Sequence, residues 1–161
     1  MEKRNLSANI TVCDYNELNL TEKNLVDAAK AASLKAYAPY SKFQVGAAAL
    51  LSDGQIVAGN NQENAAYPSG LCAERTTLFY ANATFPETSV TTMAIAAFTN
   101  GDFTDDPVTP CGSCRQVLLE TQFRYGQPIR LILYGKKAVF IVEKSADLLP
   151  LAFNPDALKP L

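Results

Sequence analysis

Residues 43–60 read FQVGAAALL, SDG, QIVAGN: an apolar run, three turn-forming residues and a second short run. The first run is strand-like in length, and Ser52-Asp53-Gly54 supplies turn chemistry, so the stretch is predicted to be a hairpin. Upstream, residues 21–36 carry Leu25, Val26, Ala29, Ala32, Leu34 and Ala36 along one rough face, predicting a helix with Thr21 as N-cap and Pro39 beyond its end. Residues 1–20 show no clear period and are expected to form an arm preceding a single domain over 21–161. Downstream of a polar loop at 61–71, helices are predicted near 72–83 and 113–123 and strands at 91–98, 129–134 and 138–142. The segment 99–110, with Gly101, Pro107 and Pro110, reads as a loop. Strands followed by helix and strand in alternation predict a mixed α/β sheet covered by helices on both faces. A chain of 161 residues suits one domain, large enough to bury roughly 70% of its unfolded surface and to hold a real cavity.

Composition narrows the chemistry. The formal net charge is −2 and the longest basic run is Lys136-Lys137, so no electrostatic footprint for nucleic acid is present. The N-terminus leads into polar residues, and no run of about 18 apolar residues offers a membrane span. A cytoplasmic protein is therefore expected, whose four cysteines read as metal ligands or core residues before disulfides. The sequence contains no histidine, which excludes Ser-His and Cys-His catalysis and any histidine-ligated metal.

The strongest local signal is Pro110-Cys111-Gly112-Ser113-Cys114, a C-x-x-C at the start of a predicted helix, with Cys72 at the start of the preceding one. Three thiolates can converge on one ion, and three sulfurs leave a tetrahedral corner open for the water a catalytic zinc activates. Glu74, two residues beyond Cys72, can lean over that corner, because side chains at a helix start point toward its N-terminus. Three thiolates and a dication leave a formal charge of −1. Arg75 and two helix N-termini are the available compensation. A C-x-x-C also suits a structural zinc knuckle or a redox pair, and Cys13 could complete a four-cysteine site or be a small buried hydrophobe. Iron is a second possible occupant of a thiolate site, though zinc's lack of redox chemistry suits hydrolysis.

The order and spacing of PYSKFQVGAA (39–48), GNNQENAAY (59–67), CAERT (72–76), PCGSCRQV (110–117) and Leu148-Leu149-Pro150 with Phe153 closely resemble the small cytidine deaminases of the homotetrameric, three-cysteine zinc type. The resemblance covers about 21–153. It implies a three-layer α/β/α sandwich with a five-stranded mixed sheet, and one Zn²⁺ per subunit on Cys72, Cys111 and Cys114. It further implies hydrolytic deamination of cytidine and 2'-deoxycytidine, with Glu74 as the proton shuttle and Arg75 beside the thiolates. By the same resemblance Asn61 and Glu63 bind the ribose, Phe43 packs beside the pyrimidine and Ala73 contributes its backbone N–H. Tyr67 and Phe153 reach the site across a subunit boundary, so a monomer is expected to be inactive. Leu151 stands where relatives often have glycine, and Gly70-Leu71 precede Cys72 where other residues are common. A different cytosine nucleoside such as blasticidin S, a polynucleotide, and a non-catalytic zinc-stabilised binding domain are the rival readings. Asn61 with Glu63 and the acidic balance favour a small ribosyl ligand.

Overall fold

In the computed structural model, which describes residues 1–158, the chain runs β1 (Thr11–Cys13), α1 (Leu20–Ser33), β2 (Gln44–Leu51), β3 (Ile56–Asn60), α2 (Ala73–Thr84), β4 (Val90–Thr99), β5 (Asp102–Phe103), α3 (Gly112–Tyr125), β6 (Arg130–Tyr134) and β7 (Val139–Val142). The last three positions of the expected 21–161 domain lie outside the described residues. The strands form one mixed sheet in the order β1-β7-β6-β4-β2-β3, with β5 folded back onto β4. β4 and β6 are parallel and the remaining pairs antiparallel.

Side-chain alternation sorts the strand residues between two cores, since successive strand residues point to opposite faces. Ala47, Ala49 and Leu51, Met93 and Ile95, and Leu131 and Leu133 pack with Leu78, Ala81 and Leu118 of α2 and α3. Ala48, Ala94, Ala96, Ile132 and Tyr134 pack on the other face with Leu25, Val26 and Ala29 of α1. The three-layer α/β/α architecture follows. Small residues in β2 let the helices come close. A Cβ on Gly46 would lie 2.0 Å from the Ala29 carbonyl oxygen, so only glycine permits that approach of α1.

The sheet has seven strands where five were expected. The five predicted strands correspond to β2, β3, β4, β6 and β7. The two additions are short and owe their form to pairing with a neighbour. β1 lies in the arm and pairs antiparallel with β7, Val12 opposite Phe140 and Cys13 opposite Val139. β5 returns through Asn100 and Gly101, both at positive φ, to set Phe103 edge-on to Phe98 at 5.2 Å. α1 starts earlier than predicted. Asn19, not Thr21, is its cap, accepting from the Glu22 N–H while the Glu22 carboxylate accepts from the Asn19 N–H.

The topology also places the site. β3 and β4 are both antiparallel to β2, so they run the same way, and the helices that follow them begin at the same end of the sheet. In open α/β sheets that end, beyond the strand carboxyl termini, is where ligands bind.

Candidate active site

Cys72 is the N-cap of α2 and Cys111 the N-cap of α3, and neither side chain caps its own helix. Both sulfurs are thus turned away from their own helix caps while the unpartnered N–H groups of two helix starts face the same region. The sulfurs of Cys72, Cys111 and Cys114 all lie within 4.8 Å of one another, with 3.8 Å between Cys72 and Cys111 and 3.5 Å between Cys111 and Cys114. Tetrahedral ligands at about 2.3 Å from a zinc ion stand about 3.8 Å apart, so these spacings suit one zinc. Cys114 is buried, Cys72 half-buried and Cys111 exposed. Cys13 lies outside this cluster, so it is not a fourth ligand, and it packs half-buried against the α1-side core as a small hydrophobe.

A hydrogen bond from Cys114 lowers the Cys72 thiol to about 5, and the Arg75 guanidinium, 3.6 Å from its sulfur, acts in the same direction against burial. The Cys114 thiol is raised because it supplies that hydrogen bond. That proton must leave when Cys114 ligates a metal. Glu74, in the first turn of α2, is only 5% exposed, and burial pushes its carboxyl above the ordinary range. α2 is bolted down nearby. The Thr77 hydroxyl bonds the Ala73 carbonyl at 2.8 Å and the Ala47 carbonyl of β2 at 3.2 Å.

A cavity of about 530 Å³ opens beside Cys72 and Arg75, bounded by Tyr40, Ser41, Asn61, Glu63 and Tyr67. That volume lies within the usual range of small-molecule sites. Asn61 is held by β2 and its approach: its Oδ1 accepts from the Val45 N–H at 2.7 Å and its Nδ2 donates to the Phe43 carbonyl at 3.0 Å. The Glu63 carboxylate accepts from the Ser41 hydroxyl and from the Tyr40 N–H at 2.8 Å, which lowers its pKa in that order of importance. These two loop residues went unassigned in the sequence reading, although both lie within the 39–48 stretch. The geometry therefore brings Asn61, Glu63, Tyr67, Cys72 and Arg75 around one cavity. Phe43 is half-buried, Ala73 fully buried and Phe153 exposed, and none of the three borders that cavity, nor do Glu74, Cys111 and Cys114. Ala73 is the first residue of α2, where a backbone N–H has no partner within the helix.

Residues 20–125 match the cytidine and deoxycytidylate deaminase zinc-binding region. The chain belongs to this deaminase family. A cytidine deaminase of Sporosarcina psychrophila is 42% identical over 136 residues, 84% of this chain and 93% of that protein. One from Halalkalibacterium halodurans is 51% identical over 85 residues, 53% of this chain and 60% of that protein. Among solved structures, the cytidine deaminase of Burkholderia pseudomallei superposes with a TM-score of 0.68 at 42% identity, over 81% of this chain and 97% of that one. The Mycobacterium tuberculosis enzyme gives a TM-score of 0.66 at 32% identity, over 84% and 99%. Membership of a zinc deaminase family and the sulfur spacing agree on one zinc ion per chain.

Proposed function

We propose that this deaminase hydrolyses cytidine and 2'-deoxycytidine to the corresponding uridines, consuming one water and releasing one ammonia per turnover. The observation that carries this reading is a buried carboxylate, Glu74, two residues beyond the first of three cysteines spaced for one tetrahedral ion. Zinc held by Cys72, Cys111 and Cys114 supplies a Lewis acid that brings the pKa of water toward about 7. Glu74 takes the proton of the attacking water, passes it to N3 of the pyrimidine as the oxygen bonds C4, and then serves the departing amine. A carboxyl raised by burial suits both duties, because it accepts a proton more readily than an exposed carboxylate does. Arg75 offsets the negative charge of the sulfurs.

The nucleoside occupies the 530 Å³ cavity, its ribose against Asn61 and Glu63. Asn61 retains one N–H beyond its bond to Phe43, and Glu63 retains acceptor capacity beyond its bonds to Tyr40 and Ser41. Phe43 supports the base and the Ala73 N–H polarises it. Tyr67 borders its own chain's cavity and, 80% exposed, also faces the subunit boundary, while Phe153, 62% exposed and off that cavity, completes a neighbouring site in a homotetramer. Residues 21–161 form the catalytic domain behind a short arm, and the substrate is a free nucleoside, not a polynucleotide. Among the described residues no helix is long and apolar enough to cross a membrane, and a cytoplasmic salvage role accords with the reduced thiols the site requires.

The deciding measurement is ammonia release from cytidine by zinc-loaded protein beside its Glu74→Gln variant. Release by the parent that the variant loses is the expected result. No release from folded, zinc-loaded parent protein would overturn the reading.

A further inference from the structure

Two consecutive side chains in the first turn after Cys114 reach a distant part of the chain. Arg115 donates from Nε to the Pro110 carbonyl at 2.8 Å and from Nη1 to the Leu148 carbonyl at 2.9 Å. Gln116 donates from Nε2 to the Phe153 carbonyl at 3.0 Å. Arg115 forms no ion pair among the described residues. Its charge is spent on two main-chain oxygens, one immediately before the ligand Cys111 and the other at the end of the 3-10 turn Ser145–Leu148. A planar guanidinium can hold two such acceptors in fixed relation, whereas an ammonium on a flexible stem reaches them one at a time.

The segment needs an outside hold. Between the Leu148 and Phe153 carbonyls lies Leu151, at φ +55° and 93% exposed, in a conformation that costs a non-glycine residue energy and with no burial in the chain to offset it. Its own backbone preference thus works against the bend that carries Phe153.

We propose that Arg115 is a positioning residue that locks the Cys111 turn and the C-terminal segment to each other, with Gln116 extending the hold to Phe153. What that placement serves rests on the deaminase reading; the clamp itself does not. The clamp couples zinc retention to the position of the segment at 149–153, and it makes the two separable by substitution.

The test uses the zinc-loaded full chain and three variants, Arg115→Met, Arg115→Lys and Gln116→Leu. Three quantities are followed: the rate of zinc transfer to a chelating dye, the rate of protease cleavage within 149–158, and KM and kcat for cytidine. Arg115→Met is expected to speed zinc transfer and cleavage by about tenfold each and to raise KM more than it lowers kcat, the scale of losing a charged hydrogen bond. Arg115→Lys should fall between it and the parent. Gln116→Leu should raise cleavage and KM while leaving zinc transfer unchanged. A folded Arg115→Met protein with parental zinc transfer and cleavage would overturn the proposal, as would full restoration by lysine. Should the methionine variant fail to fold, the lysine and Gln116→Leu proteins decide alone. Should the parent not act on cytidine, the zinc and cleavage readouts still decide, so the two readings fail separately.

Discussion

Cys72 and Cys111 begin helices fastened to the sheet by buried packing and, in α2, by the Thr77 hydroxyl, whereas Tyr67 and Phe153 ride on segments that leave them 80% and 62% exposed. The thiolate centre and Glu74 are complete in one chain. The proposed rim around the nucleoside is not, since Phe153 does not border the cavity of its own chain. Tyr67, at the edge of the cavity, and Phe153, away from it, stand in solvent, as the proposed homotetramer requires of residues that a neighbour covers. On the proposed homotetramer, the contrast separates what one chain would do alone, which is to bind metal and hold a carboxylate, from what would need neighbours, which is to enclose the substrate.

The largest effect is expected at the thiolate end. Glu74→Gln keeps the shape and removes the proton carrier, so kcat should fall by about 10²- to 10⁴-fold while metal analysis still finds one zinc per chain. Loss of zinc along with activity would mean that the carboxylate supports the metal centre, and the line drawn between chemistry and scaffold would be misplaced.

Next comes the rim. Phe153→Ala should reduce kcat/KM by about ten- to a hundredfold, the scale of about 1.5–3 kcal/mol for a buried aromatic side chain. If Phe153 serves a neighbour's site, co-refolding Phe153→Ala subunits with Glu74→Gln subunits will regenerate some intact sites and restore activity neither parent has. A mixture no more active than the sum of its parts would place each site within one chain and erase the contrast.

The two regions also differed in how far the sequence disclosed them. The thiolates could be found because ligand spacing is local: Cys111 and Cys114 are one helical turn apart, and Cys72 and Glu74 two residues apart. The five longer strands were visible because apolar runs between turn residues report burial directly. β1 was not, since Thr11-Val12-Cys13 becomes a strand only by pairing with β7, more than 120 residues later. The same holds for the Glu63 carboxylate, anchored across the chain by Tyr40 and Ser41, and for Arg115, whose acceptors are backbone carbonyls that any residue could supply. Asn19 was passed over for Thr21 because both are competent caps, and only Asn19 stands three residues before the glutamate that closes the box.

A smaller effect tests whether the scaffold is independent of the site. Arg130 on β6 pairs with Glu22 of α1 and, at 3.1 Å, with Glu143 beyond β7, on the opposite side of the sheet from α2 and α3. Burial alone would raise the Glu22 carboxyl, but the bonds from Arg130 and the Asn19 N–H outweigh it and hold its pKa below that of an ordinary glutamate. A depressed carboxyl contributes stability that is present above its unfolded pKa and is lost as pH falls through the folded one. Glu22→Gln should therefore cost about 1–2 kcal/mol near pH 7, lowering Tm by about 3–6 °C, with the gap closing below about pH 4.5. kcat/KM at 25 °C should stay within about twofold of the parent. A large loss of activity would show that strain crosses the sheet to the rim.

The smallest effect lies at Leu151, on the least supported part of the rim. A left-handed backbone costs a leucine about 1–2 kcal/mol, and glycine removes that cost while adding about 0.5–1 kcal/mol of unfolded-chain entropy. If the exposed side chain stays exposed in the assembly, Leu151→Gly should stabilise the protein by up to about 1 kcal/mol, a Tm rise of about 2–4 °C, with little change in KM. A fall in Tm that grows as the protein is diluted would instead mean that Leu151 is buried against another subunit. The strained conformation would then be retained because it presents an apolar side chain to a neighbour, and the C-terminal rim would belong as much to the assembly as to the chain.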